Sequence, residues 1–66
     1  MNVEVIGTWA GQVWNALNES GKLTVKGLKK ATKLKEKEIY AALGWLAREG
    51  KVSICEVEAD VEVVLI

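Results

Sequence analysis

Apolar residues recur every three or four positions along the first part of the chain, the spacing of one face of an α-helix. This stripe consists of Ile6, Trp9, Ala10, Val13, Trp14 and Leu17. It predicts a first helix over residues 3–18, which ends in the sequence NESGK, where Gly21 is a typical terminating residue. We expect its two tryptophans to lie in the core or at its edge, with an interface between subunits as the alternative.

Two further helical patterns follow a short extended segment, KLT. Thr24 is a suitable N-cap for a second helix over residues 25–32, with inner positions at Val25, Leu28 and Ala31. After a tight connection, TKLK, a third helix begins at residue 35 or 36 and runs to Glu49, before Gly50. Its predicted inner face consists of Ile39, Ala42, Leu43 and Leu46.

The C-terminal sequence KVSICEVEADVEVVLI predicts a two-stranded β-hairpin that reverses at VEAD. Alternation places Val52 and Ile54 on one face of the first strand, and residues 61, 63 and 65 on one face of the second. Val64 and Ile66 lie on the opposite face. The end of the second strand is therefore apolar on both sides, and we expect something to cover it.

The order of elements is helix, short strand, helix, tight turn, helix and two-stranded hairpin, which is that of an α+β winged helix-turn-helix domain. We expect residues 1–66 to form one such domain. The segment from residue 28 to residue 52 resembles known winged regulators at Leu28, Ala31, Leu34, Ile39, Leu43, Leu46, Gly50 and Val52. The run ALGWLARE, and most of the chain with it, resembles a family of small stand-alone winged helix-turn-helix proteins of bacteria and archaea of uncharacterised function.

Two lysines depart from the pattern of the familiar regulators. Lys33 occupies the turn position usually given to glycine, where a positive φ would strain a lysine. Lys35 occupies the cap position usually given to serine, and an ammonium group cannot accept a hydrogen bond from the start of the helix. We expect Thr32, or a shifted boundary, to compensate for this cap. Both lysines add positive charge where such motifs meet a phosphate backbone.

The formal net charge is zero, but the charges are segregated along the chain. Six lysines and no acid lie between residues 22 and 35, whereas four acids and no base lie between residues 52 and 66. The helical part can attract an anion, and the acidic hairpin should repel it.

On the third helix, the predicted outer strip contains the small residues Ala41 and Gly44, flanked by Lys37 and Arg48, with Tyr40 and Trp45 on its shoulders. A glycine inside a helix costs about 1 kcal/mol relative to alanine. We interpret Gly44 as a site of close approach for a partner; the alternative is that it makes room for a neighbouring tryptophan.

Double-stranded DNA is the partner that fold analogy favours, for a transcription-regulator-like protein. The candidate nucleic-acid-binding residues are Lys26, Lys29, Lys30, Lys33, Lys35, Lys37, Ala41, Gly44 and Arg48. The strip carries no Asn or Gln to read bases, although Glu38 could accept a hydrogen bond from cytosine. We therefore predict weak, salt-dependent binding of low specificity. Simple solvation of the lysines is the alternative.

A protein-interaction module, and a homodimer in particular, is the second hypothesis. The candidate interface residues are Trp9, Trp14, Trp45, Val64 and Ile66, because a chain this small has little core in which to enclose so many large apolar side chains.

Catalytic chemistry is not indicated. The chain has no histidine and one cysteine, and it carries no metal-ligand cluster or phosphate-binding loop. We therefore expect no enzyme activity, no cofactor and no small-molecule ligand. Cys55 is predicted to be a small buried strand residue, with a reactive thiol as the alternative. The lone thiol, and the absence of a signal peptide or a membrane-spanning run, favour a cytoplasmic protein.

Overall fold

A computed structural model describes residues 1–66 as three helices and a three-stranded antiparallel sheet. The elements in chain order are α1 (Val3–Ser20), β1 (Lys22–Thr24), α2 (Val25–Thr32), α3 (Glu36–Arg48), β2 (Val52–Val57) and β3 (Asp60–Leu65). This is the winged helix-turn-helix arrangement that the sequence predicts, with β2 and β3 as the wing. Helix α1 packs mainly against α3, and the helices cover one face of the sheet.

Local hydrogen bonds set the ends of α1. The Asn2 side chain accepts a hydrogen bond from the Val5 backbone N–H at 2.9 Å, so Asn2 is the N-cap. At the other end, the Gly21 N–H donates to the Leu17 carbonyl at 2.6 Å, and Gly21 has a φ of 84°. Helix α1 therefore ends at the predicted glycine, two residues beyond the predicted boundary.

The turn between α2 and α3 has the predicted left-handed residue. Lys33 has a φ of 64° and a ψ of 13°, in the left-handed region that favours glycine. Thr32 supports the turn, because its hydroxyl donates to the Leu28 carbonyl at 2.7 Å and accepts from the Leu34 N–H at 3.2 Å. Thr32 does not provide the predicted compensation for the cap at Lys35, because its hydroxyl bonds within the α2–α3 turn and not to the start of α3.

Helix α3 begins at a residue whose side chain cannot cap it. The Lys35 ammonium accepts no hydrogen bond, but the Glu38 carboxylate accepts from the Lys35 backbone N–H at 2.8 Å. Only the glutamate half of a capping box therefore operates. The helix ends in a Schellman motif, in which the Lys51 N–H donates to Leu46 at 2.9 Å and the Gly50 N–H to Ala47 at 3.0 Å.

The sheet differs from the predicted two-stranded hairpin. The segment KLT is a third strand, β1, and it pairs with β3, so β3 is the central strand in the order β1-β3-β2. Leu23 lies across from Val63 in this pairing. The sequence predicts a short strand here, but three residues are too few to show which strand it pairs with, and only the structure shows its pairing with β3. The reversal between β2 and β3 lies at Glu58 and Ala59, as predicted.

The core lies between the helices and the sheet. It consists of Ala10, Val13, Leu17, Val25, Leu28, Ile39, Ala42, Leu43, Leu46, Val52 and Val63. The predicted inner face of α3 and the stripe of α1 are confirmed. Ala31 is a correction, because it is exposed and lines a shallow groove between α1 and α2.

Two predictions about β2 are also corrected. Cys55 was expected in the core and is exposed, because it lies on the outer sheet face with its pairing partner Glu62, and no helix covers that face. Ile54 shares the inner face with Val52, as predicted, but it remains 43% exposed because β2 is at the edge of the sheet.

Candidate nucleic-acid interface

Seven basic side chains lie on or beside the helix-turn-helix, and all are exposed. We call them the basic surface: Lys26, Lys29, Lys30, Lys33, Lys35, Lys37 and Arg48. The two ion pairs of the structure, Lys22–Glu62 and Lys51–Glu49, include none of them. The basic surface therefore has no carboxylate partner within salt-bridge distance in its own chain.

The outer strip of α3 lies where the sequence predicts it. Lys37, Gly44 and Arg48 are exposed, and Ala41 is half-buried. Apart from its chain neighbours and the local helix backbone, no atom lies within 4 Å of the position that a Cβ would take at Gly44. Gly44 therefore makes room for neither Trp9 nor Trp14. Its outer surface is open to solvent.

The glycine that accommodates a tryptophan is Gly7, on α1. A Cβ built at Gly7 would lie 3.4 Å from two ring carbons of Trp45. The Trp45 indole thus packs across the α1 backbone, which accounts for its half-buried position. Sequence reasoning missed Gly7, because the contact joins two helices and leaves no local pattern.

The acidic wing borders the basic surface. Asp60 lies at the start of α2, where its carboxylate accepts from the Lys26 backbone N–H at 3.4 Å. It also accepts from the Val61 backbone N–H at 2.7 Å. The Val61 N–H is the main cause that lowers the pKa of Asp60 below its usual value; Lys26 also lowers it, and desolvation opposes both. The wing carboxylate is thus held ionised beside the lysines.

The tip of the wing extends this negative charge towards α3. Glu58 and Asp60 line a shallow groove with Lys26 and Lys29, and a second groove joins the wing to Tyr40. An anion approaching α3 from the wing side would meet carboxylates first. Lys30 on α2, and Lys33 and Lys35 at the α2–α3 turn, line neither of these acidic grooves.

The groups available to read bases are sparse. One carboxylate oxygen of Glu38, the predicted acceptor for cytosine, holds the start of α3 through the Lys35 N–H. This contact ties the side chain to the helix terminus. Ala41 and Gly44 carry no side-chain donor or acceptor, so the centre of the strip can contact bases only through apolar or backbone atoms.

The candidate interface residues lie in two separate places. Trp9, Trp14 and Trp45 are half-buried and pack against the core. Trp14 and Trp45 line a shallow groove of about 280 Å³ between α1 and the end of α3. Val64 and Ile66 lie on the outer sheet face and are 38% and 82% exposed. The structure therefore does not bring the five residues into one patch.

Two further features bear on the site. No group of three or more His, Cys, Asp and Glu side chains is arranged to hold a metal ion. None of the helices has the length and apolar character needed to cross a membrane.

Comparison with known proteins agrees with this geometry. Residues 1–65 match the winged helix-turn-helix domain family DUF2582. The chain belongs to this family. It is also similar to protein BT2368 from Bacteroides thetaiotaomicron, whose solution NMR structure superimposes with a TM-score of 0.86 at 35% sequence identity. That similarity covers 98% of this chain and 79% of BT2368. Among curated proteins, none matches.

Proposed function

We propose that this protein binds double-stranded DNA through the basic surface, with α3 directed at the major groove. The observation that carries the proposal is the set of seven exposed basic side chains, on one helix-turn-helix, that form no ion pair with the rest of the chain. Unpaired cations on a winged helix-turn-helix are free to replace the counterions of a phosphate backbone. A role similar to that of a transcription regulator is consistent with such binding.

The binding should depend strongly on salt. Each phosphate contact on B-DNA contributes about −0.9 to the slope of log K against log salt concentration. If all seven members of the basic surface contacted a phosphate, the slope would be about −6, which is the steepest slope that this surface could produce. The acidic wing reduces the net attraction, because Glu58 and Asp60 lie beside Lys26 and Lys29.

The binding should also discriminate poorly between sequences. Base recognition in the major groove needs paired donors and acceptors at the centre of the recognition helix. Ala41 and Gly44 supply neither, and Arg48 lies in the last turn of α3. Phosphate contacts would position the helix without specifying a site.

The test is an NMR titration of the ¹⁵N-labelled protein with a mixed-sequence duplex, at low salt and then at about 150 mM salt. We expect amide shifts between residues 26 and 48 that weaken as salt rises. Lys30→Gln should weaken binding, whereas Lys22→Gln, which removes a lysine outside the basic surface, should change it little. A folded protein without shifts at low salt, or shifts centred on the wing, would refute the proposal.

A protein-interaction module is the second candidate. It is favoured by the exposed Val64 and Ile66 on a sheet face that no helix covers. Apolar groups at such positions are typical of docking surfaces. If this sheet face is protected from solvent and the basic surface does not respond to a duplex, the protein-interaction module is favoured over DNA binding. A cytoplasmic location is part of both proposals, since an exposed lone thiol is compatible with a reducing compartment.

A further inference from the structure

Strand β2 has one unpaired edge, and the hydrogen bonds on its other side identify the groups that this edge presents. β2 lies at the end of the order β1-β3-β2 and pairs only with β3. The Ile66 N–H donates to the Lys51 carbonyl at 3.1 Å. Because bonded residues alternate in an antiparallel ladder, residues 53, 55 and 57 also direct their backbone groups to β3. The N–H and C=O groups of Val52, Ile54 and Glu56 therefore point outwards.

Several of the usual protections of an edge strand are absent from β2, although Glu56 places one charge on its core-facing side. Val52–Val57 contains no proline and no lysine, and its pairing with β3 is continuous, without a bulge. Ile54 is 43% exposed, although it shares the core-facing side with Val52. An open, regular strand edge with an exposed apolar side chain is a template for another strand.

We propose that the β2 strand of a second copy of this chain adds to this edge in antiparallel orientation. The two-fold axis that relates the copies passes midway between their two Ile54 residues. The two sheets then form one continuous sheet. In this register Ile54 pairs with Ile54 of the second copy, and Val52 pairs with Glu56 of the second copy. Every outward-pointing backbone group of β2 is then hydrogen-bonded. The proposal does not depend on DNA binding.

Neighbouring registers satisfy fewer of these groups. An axis perpendicular to the sheet must pair residues of the same face, so the next choices centre on Ser53 or Cys55. A Ser53 centre would place Glu56 across from Gly50, which lies outside the strand. A Cys55 centre would place Val52 across from Glu58, which lies in the turn. Either register leaves strand groups unpaired, so Ile54 is the favoured centre.

Charge also favours a second copy as the occupant. Antiparallel pairing places Lys51 across from Val57 of the second copy, beside the turn that carries Glu58 and precedes Asp60. The Lys51 side chain is 56% exposed, although it lies 3.7 Å from Glu49, so it can reach these carboxylates. Glu56 faces Val52 and not another acid. The edge is thus compatible with its own copy in both charge and hydrogen bonding.

Disulfide trapping tests the register directly. Residues 53 and 55 of opposite copies would form a pair that is not hydrogen-bonded, with Cα atoms about 4.5 Å apart, within the range that a disulfide spans. Ser53→Cys should therefore oxidise to a covalent dimer linked between Cys55 and the introduced cysteine. The unchanged protein should not crosslink, because its two Cys55 residues would be diagonal neighbours about 7–8 Å apart. A Cys55–Cys55 link in the unchanged protein would overturn the Ile54-centred register.

A second measurement tests the edge without any thiol. Ile54→Pro removes an outward N–H and leaves the β2–β3 hydrogen bonds intact, because edge strands tolerate proline at such positions. Ile54→Val keeps the N–H and is the matched control. Sedimentation without DNA should show a dimer for the unchanged protein and for Ile54→Val. Ile54→Pro should raise the dimer Kd by about tenfold or more, through the loss of one N–H donor from each copy.

Each outcome decides the proposal. A monomer at millimolar concentration, or a dimer that Ile54→Pro does not weaken, would overturn it. Circular dichroism shows whether Ile54→Pro is folded. If that variant fails to fold, the Ser53→Cys crosslink decides alone, and its absence under oxidising conditions refutes the pairing. No duplex is present in either measurement, so these results are independent of those of the DNA titration.

Discussion

Gly44→Ala tests the interpretation that the fold does not require a glycine on α3. Gly44 lies inside Glu36–Arg48, where every residue has helical geometry. An added methyl group would meet nothing within 4 Å outside its immediate helix surroundings. The substitution should therefore recover the full helix-propensity difference and raise the free energy of unfolding by about 1 kcal/mol.

The change is large enough to measure in a domain of this size. A gain of about 1 kcal/mol corresponds to a rise in Tm of about 4–8 °C for a chain of 60–100 residues. Urea unfolding followed by circular dichroism should show a higher midpoint with an unchanged slope, since the buried surface is the same.

Two other glycines calibrate the result. Gly11→Ala, on α1, should stabilise by a similar amount, because its Cβ position is also open. Gly7→Ala should gain less, because its Cβ would contact the Trp45 ring at 3.4 Å. If Gly11→Ala stabilises the protein while Gly44→Ala destabilises it, Gly44 has a role inside the fold, and the reasoning about the open strip is wrong.

Two further substitutions test the turn and the wing. Lys33→Gly should raise the free energy of unfolding by about 1 kcal/mol in urea denaturation, because Lys33 has a φ of 64°; an equal gain from Lys33→Ala would contradict this. Asp60 has a lowered pKa in the folded state, mainly through the Val61 N–H, so its contribution to stability is present above the usual aspartate pKa and is lost as pH falls through the folded value. Asp60→Asn should therefore reduce the dependence of the free energy of unfolding on pH in the acid range. If the free energies of the two proteins depend on pH in the same way, Asp60 does not make this contribution.

Periodicity and local hydrogen bonding account for the parts of the fold that the sequence predicts. The spacing of apolar residues identified α1 and the inner face of α3, because helical geometry relates only residues three and four apart. Thr24 was recognised as a cap for the same reason: its hydroxyl accepts from Gly27 N–H, three residues along, at 3.1 Å. Resemblance to the winged family added the left-handed turn at Lys33.

The candidate site was only partly predictable. The lysines of the basic surface, and the outer strip of α3, could be named from the sequence, because they lie on consecutive helices with a known turn between them. Their lack of carboxylate partners could not, because ion pairing depends on which elements pack side by side. The same holds for Asp60, which meets α2 from a strand 34 residues away.

The sequence by itself therefore determined the three helices, the buried faces of α1 and α3, the position of the wing and the segregation of charge. Tertiary structure alone decided the sheet order: KLT became β1 because it pairs with β3, and this left β2 as a long open edge. It also decided that Cys55 faces solvent and that Gly7 accommodates Trp45. Each of these depends on contacts between residues distant in sequence, which neither a local period nor a propensity encodes.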